Sequence, residues 1–160
     1  MPSGEIDAAD FRSAMSLMPT AVTVVTAIGP NGPSGATANA VSSLSLEPML
    51  MLACLDRGSR TLRSVQEAGR FGVNVLAAEQ EAVARQFATK AAEPEKWNGI
   101  GWSEREGVPV ISGALVWVGC ELLDVLMGGD HVIVTGDVVD LEAGEGEPLL
   151  FHRGVYRSLG

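Results

Sequence analysis

The hydrophobic positions open with a helical period. In residues 7–18, Phe11, Ala14, Met15 and Met18 form one stripe, which predicts a short helix capped by Asp7 and stopped by Pro19. The period then changes. Residues 20–28 (TAVTVVTAI) are rich in β-branched side chains and predict a strand. Gly29-Pro30-Asn31-Gly32-Pro33 is dense turn chemistry, so residues 35–46 (GATANAVSSLSL) return as the second arm of a hairpin. After Pro48, residues 49–55 (MLMLACL) are apolar on both faces and predict a central strand.

Residues 59–68 predict a helix capped by Ser59 and ended by Gly69. Residues 71–77 predict a strand, and 79–90 a helix with Val83 and Phe87 inward. Residues 91–109, with Trp97 and Trp102 among charges and glycines, predict a loop. Strands 114–126 and 131–142, joined by the turn Met127-Gly128-Gly129-Asp130, predict a long hairpin, and 149–157 a last strand. At least six strands with only short helices between them leave little place for the crossovers of a parallel sheet. The expected fold is mainly β, a closed or nearly closed antiparallel barrel with peripheral helices.

Composition narrows the function classes. A chain of 160 residues, 46% hydrophobic and 19% charged, predicts one globular domain over 1–160. Its 11 basic and 20 acidic residues give a net charge of −9, which argues against nucleic acid or an anionic membrane as partner. Cys54 and Cys120 sit inside apolar runs with no CxxC spacing, so a reducing cytoplasm is expected. Met1–Asp10 carries three acids and no base, unlike a signal peptide. The longest apolar runs break within about a dozen residues, short of the roughly 18 that span a bilayer.

Three places carry candidate chemistry. Asp56-Arg57-Gly58-Ser59-Arg60-Thr61 gathers two arginines and two hydroxyls where a helix begins, and free N–H groups there favour an anion. This stretch reads either as a phosphate cradle or as a solvated loop with an ordinary serine cap. No GxGxxG or Walker sequence is present, which argues against a Rossmann or P-loop site. Thr37-Ala38-Asn39-Ala40 is a stretch of small side chains that admits something flat, with Asn39 and Ser43 able to meet its edge; a tight contact between strands is the other reading. The only histidines, His131 in Gly-Asp-His and His152 in His-Arg-Gly-Val-Tyr, are too few and too isolated for a metal site, so none is expected. Neither GxSxG nor a reactive-cysteine setting is present for nucleophilic catalysis.

In order along the chain, FRSAMSLMPTAVTVVTA, GATANAVSSLSLEP, LACLDRGSRT, AGRFGVNVLA, QFA, GALVWVGCEL, GGDHVIVTGDV and PLLFHRGVYRSL resemble the flavin reductase family, the reductase components of two-component flavin monooxygenases. The resemblance covers Phe11 to about Leu159. It implies a dimeric flavin-binding split β-barrel. It also implies that NADH or NADPH reduces FMN or FAD, and that the reduced flavin diffuses to a separate oxygenase. By the same resemblance Thr37, Ala38, Asn39 and Ala40 line the flavin ring, while Ala53, Cys54 and Leu55 flank its edge. Ser59 and Thr61, with Arg57 and Arg60, hold the phosphate, and Phe87 and Lys90 close around that end. His131, assigned the catalytic side, meets the nicotinamide nucleotide with His152, Arg153, Gly154 and Tyr156.

Two departures stand out. Ala40 replaces the serine of many relatives, and Pro19-Thr20-Ala21 replaces their Ala-Thr-Gly. FMN is preferred over FAD only because no adenine pocket can be named. A flavin carrier without turnover would keep the cradle but need no histidines. A split-barrel oxidase would need a second arginine cluster, which the sequence lacks.

Overall fold

The computed structural model describes residues 4–160; Met1, Pro2 and Ser3 of the acidic N-terminal stretch lie outside the described residues. The elements run α1 (Ala8–Met15), β1 (Thr20–Ala21), β2 (Thr23–Gly29), β3 (Gly32–Ala38), β4 (Val41–Leu46) and β5 (Met49–Asp56). Next come α2 (Arg60–Ala68), β6 (Arg70–Val75), α3 (Glu81–Phe87), α4 (Glu93–Lys96), β7 (Trp102–Arg105) and β8 (Val108–Ile111). The chain ends with β9 (Val116–Gly128), β10 (His131–Ala143), β11 (Leu150–His152) and β12 (Val155–Arg157).

Seven strands form one antiparallel sheet in the order β3-β2-β6-β9-β10-β5-β4. Its end strands, β3 and β4, are consecutive in the chain, with only Asn39 and Ala40 between them. Two residues can join opposite ends of a sheet only if the sheet curls until the ends meet. The Cys54 N–H donates to the Ala40 carbonyl at 2.9 Å, which carries the β4–β5 ladder back to the residues that follow β3, and β3 comes into contact with β5 there. The expected mainly β barrel is therefore present. Residues 35–46, expected as one strand, break at Asn39-Ala40 because the chain changes partners there, and those two residues form the seam.

Alternation along the β2 segment divides the core in two. Val25 and Ala27 face the barrel interior with Leu55, Phe71, Val73 and Val134. Val22 and Val24 face a second core with Leu76, Ala84, Phe87 and Trp97. Thus β2, buried from Thr23 to Ala27, is a strand covered on both faces. β5 lies one place from the sheet's end, with Ala53 and Leu55 buried but Met49 exposed. Its double-faced apolar run reflects a surface left uncovered within this chain.

Two other expectations change. Residues 91–109 are not all loop: α4 and the β7–β8 hairpin lie there, turning at Glu106 and Gly107 with φ of 54° and 73°. Buried Asn74 holds β8 in place, accepting from the Ile111 N–H at 2.9 Å and donating to the Val24 carbonyl at 3.2 Å. Residues 149–157 are two strands, not one, because Arg153 and Gly154 both take positive φ, 53° and 76°, the geometry of a two-residue hairpin turn. Helix α1 forms with its Asp7 cap, at 2.8 Å to the Asp10 N–H, yet buries none of its residues. The Phe11–Met15–Met18 stripe is exposed. Among the described residues, no helix is long and apolar enough to cross a membrane.

Candidate functional site

The seam is also the floor of a cleft. Three hollows of about 970, 710 and 340 Å³ share Asn39 as a lining residue. Their common floor is the end of β3, where side chains are small and already tied down. Thr37 donates its hydroxyl to the Ala84 carbonyl at 2.7 Å, and Thr23 donates to the Ala38 carbonyl at 2.6 Å. Fixing this strand from behind leaves Ala36, Ala38 and Ala40 as a low surface with no bulky side chain over it.

The largest hollow lies between that floor and α1. Phe11, Met15, Met18 and Phe151 make it mostly apolar, and Arg153 and Gly154 close one side. The Thr20 hydroxyl lines it too, buried and without a protein partner.

The second hollow is cationic at one end. Ser59 caps α2 by accepting from the Leu62 N–H at 3.2 Å, and the first-turn N–H groups that follow have no intrahelical acceptor. Arg60, Lys90 and Lys96 stand beside them, with Asp56 as the one lining carboxylate. Lys96 is only 6% exposed, and its Nζ donates to the Gly35 carbonyl at 3.1 Å. Arg60 donates to the carbonyls of Ala91 and Lys90, which holds the loop after α3 against the helix start.

The third hollow joins Ala38, Asn39 and Ala40 to Cys54, Leu55, Ser59 and His131. His131 opens β10 opposite Asp56 of β5, so sheet register brings it to this wall. Its Nδ1 lies 2.8 Å from Asp130 Oδ1. That hydrogen bond, aided by the imidazole's charge, holds the Asp130 carboxyl below the ordinary aspartate range. Cys120 is a contrast: burial pushes its thiol up to about 12, so it stays a neutral core side chain. Among the described residues, no group of three or more His, Cys, Asp or Glu converges as a metal site would.

These features are a flat floor of small residues, a cationic helix start and a histidine on the strand beside that start. The sequence model of the flavin reductase like domain matches residues 15–160. The reductase subunit HsaB of a flavin-dependent monooxygenase from Mycobacterium tuberculosis is 39% identical over 161 residues, covering 98% of this chain and 85% of that protein. The chain belongs to the flavin reductase-like family. The NADH-dependent FMN reductase AsuE2 of Streptomyces nodosus subsp. asukaensis is 37% identical, covering 94% of this chain and 84% of that one. The NADH:FAD oxidoreductase SgcE6 of Streptomyces globisporus, solved with NAD and FAD fragments, superposes with a TM-score of 0.90 at 34% identity, covering 96% and 93%.

Within this reductase fold the expected site residues divide. Thr37, Ala38, Asn39, Ala40, Cys54, Leu55, Ser59, Arg60, Phe87, Lys90, His131, Arg153, Gly154 and Tyr156 line one or another hollow. Phe87 does so only at its rim, since it is 1% exposed in the second core. Five others stand apart. Ser43 lies on the exposed edge strand β4, away from the hollows. Ala53 is buried in the barrel core. Thr61 points inward, its hydroxyl 2.9 Å from Ser34 Oγ. Arg57 leans along the next turn, 3.4 Å from the Gly129 carbonyl. His152 lines none of the hollows, and its carbonyl accepts from Arg157 at 3.5 Å. Lys96 and Phe151 line the cleft without having been expected to. Lys96 was hidden in a segment with no strong period, and the only local signal was its place just before Trp97.

Proposed function

We propose that this chain reduces FMN or FAD with NADH or NADPH and releases the reduced flavin to a flavin-dependent monooxygenase. The continuous cleft carries the assignment: a floor of small residues runs up to a cationic helix start and to a histidine on the strand beside it. A flavin, when bound, accepts a hydride from the pyridine nucleotide and carries the electron pair away.

The chain's own residues bind and orient. The donor set at the second hollow suits a phosphate: Ser59, the α2 start, Arg60 and Lys90 offer charge-assisted hydrogen bonds. The alanines of β3 and the seam admit a flat ring, and Thr37, Asn39, Cys54 and Leu55 border it. The orphaned Thr20 hydroxyl supplies a polar group at the seam that a ligand can satisfy. His131 faces the nicotinamide nucleotide. With Nδ1 engaged by Asp130, its other nitrogen is left for a carboxamide or pyrophosphate oxygen. Arg153 and Gly154, on the largest hollow, serve the same nucleotide, while Tyr156 of the next strand reaches it from the second hollow. Hydride transfer needs alignment at close range and no proton relay in the protein.

The same reading makes residues 1–160 one functional unit. It also makes the protein a homodimer, because Leu46, Met49, Leu126 and Met127 stay exposed on sheet strands. Two free cysteines fit a reducing cytoplasm. Purified protein should oxidise NADH or NADPH only when flavin is added, with flavin behaving as a second substrate. A flavin-saturated sample that leaves both nucleotides untouched would transfer the protein to the carrier class. Sedimentation at micromolar concentration should give twice the chain mass.

A further inference from the structure

Glu93 and Lys96 lie on α4, in a segment no sequence signal connected to the cleft. Both reach the same glycine. Glu93 Oε2 accepts from the Gly35 N–H at 3.1 Å, and Lys96 Nζ donates to the Gly35 carbonyl at 3.1 Å. β3 is an end strand of the sheet, so these side chains satisfy the backbone groups that a further strand would have taken. Glu93 Oε1 lies 3.5 Å from Lys96 Nζ and 3.6 Å from Arg60 Nε. One carboxylate therefore stands behind two of the cations that line the second hollow and does not line it itself. Removing an ammonium from water to the depth of Lys96 is costly unless a counter-charge accompanies it.

We propose that Glu93 is a positioning residue for phosphate recognition: it holds Lys96 and Arg60 in place at the phosphate end of the cleft. The inference rests on the flavin reading above and adds to it the group that organises the cations. Glu93 touches no ligand and acts through Arg60 and Lys96. Gly35 makes the arrangement sterically feasible, because a Cβ there would sit 2.7 Å from the Phe87 ring at the end of α3 and 3.3 Å from the Trp97 ring just after α4, and would force β3 away from both helices. A purely structural role, protection of the β3 edge, is the competing account.

Fluorescence titration of the purified full chain with FMN and with riboflavin separates the two. Riboflavin has the ring and lacks the phosphate. Glu93→Gln keeps an oxygen for the Gly35 N–H and removes the charge. The expected result is FMN binding weakened about tenfold with riboflavin binding unchanged, the size of one charge-assisted contact. Unchanged or tighter FMN binding, or equal weakening of both flavins, overturns the proposal. If Glu93→Gln does not fold, Glu93→Gln with Lys96→Met removes the unpaired buried charge. That double variant should melt near the wild-type temperature and still bind FMN weakly. Recovery of FMN affinity in it would leave the pair structural and overturn the proposal. Wild-type protein that binds neither flavin defeats the functional reading along with it. Wild-type protein that prefers FMN, beside a Glu93→Gln variant that keeps the preference, defeats only the role of Glu93.

Discussion

The two ends of the cleft are built differently. At the cationic end, the floor strand β3 rests on Phe87 and Trp97, whose rings meet edge to face with centroids 4.8 Å apart. Thr37, Glu93 and Lys96 tie the same strand to α3 and α4. At the other end, α1 covers the hollow with Phe11 and Met15, yet none of its residues is buried. The turn after α1 is joined to the β11–β12 hairpin by the Arg153 N–H donating to the Ser16 carbonyl at 2.8 Å. One end is set in advance by core packing, and the other is held by little. On the function proposed above, the packed end would hold the flavin and the loosely held end would receive the nucleotide.

The largest effect should come from the packed end. Phe87→Ala removes a fully buried ring from under the floor strand and should cost about 3–5 kcal/mol of stability, read from urea denaturation. Phe11→Ala, an equal truncation at the loose end, should change stability by less than about 0.5 kcal/mol. Similar losses in the two variants would erase the distinction between the ends.

Next in size is the phosphate contact. Ser59→Ala should weaken FMN binding roughly tenfold, leave riboflavin almost unaffected, and cost about 1 kcal/mol through the lost α2 cap. Thr61→Ala should do the reverse. It strands the buried Ser34 hydroxyl, so stability falls by about 1–3 kcal/mol while both flavin affinities hold. Titration and thermal melting of the two variants together test whether α2 presents one hydroxyl to the cleft or two.

His131→Ala should lower kcat/KM for NADH by roughly three- to tenfold, with flavin affinity kept. The bond to Asp130 supports a second, local role at the hairpin turn. Normal kinetics with a reduced melting temperature would assign His131 to that turn alone.

The contrast between the ends also explains what the sequence could reveal. The packed half was legible wherever a period met a cap: Ser59 and Gly69 bracket α2 as read, and the 114–142 hairpin forms, though its turn is only Gly129-Asp130 because Met127 and Gly128 pair within the ladder. The arginine-flanked helix start and the run of small residues at 37–40 stand out in the sequence, each with a plain structural reading, a serine cap or a close strand contact, beside the binding one. Three things escaped. The break at Asn39-Ala40 comes from sheet closure, a long-range event with no local signature. The β7–β8 hairpin is short, and Asn74, far away in sequence, anchors it. The inward turn of Thr61 depends on Ser34 across the barrel wall. Distant partners settle each of these, and a single sequence does not display such pairs.

The smallest effect sharpens the comparison most. Met15→Ser places a hydroxyl on the exposed stripe of α1, facing the large apolar hollow. If α1 rests on nothing but its own cap and the Ser16–Arg153 bond, the melting temperature should stay within a degree or two and FMN affinity should not move. The hollow would nevertheless become more polar on the side assigned to the nicotinamide nucleotide. The expected readout is therefore a change in the apparent NADH constant of about twofold with kcat intact, since losing part of one apolar contact weakens binding in ground and transition states alike. A melting temperature lowered by several degrees would show that α1 is packed in solution, against the barrel or a second copy. The two ends would then be equally firm, and the contrast between a packed and a loosely held end would be lost.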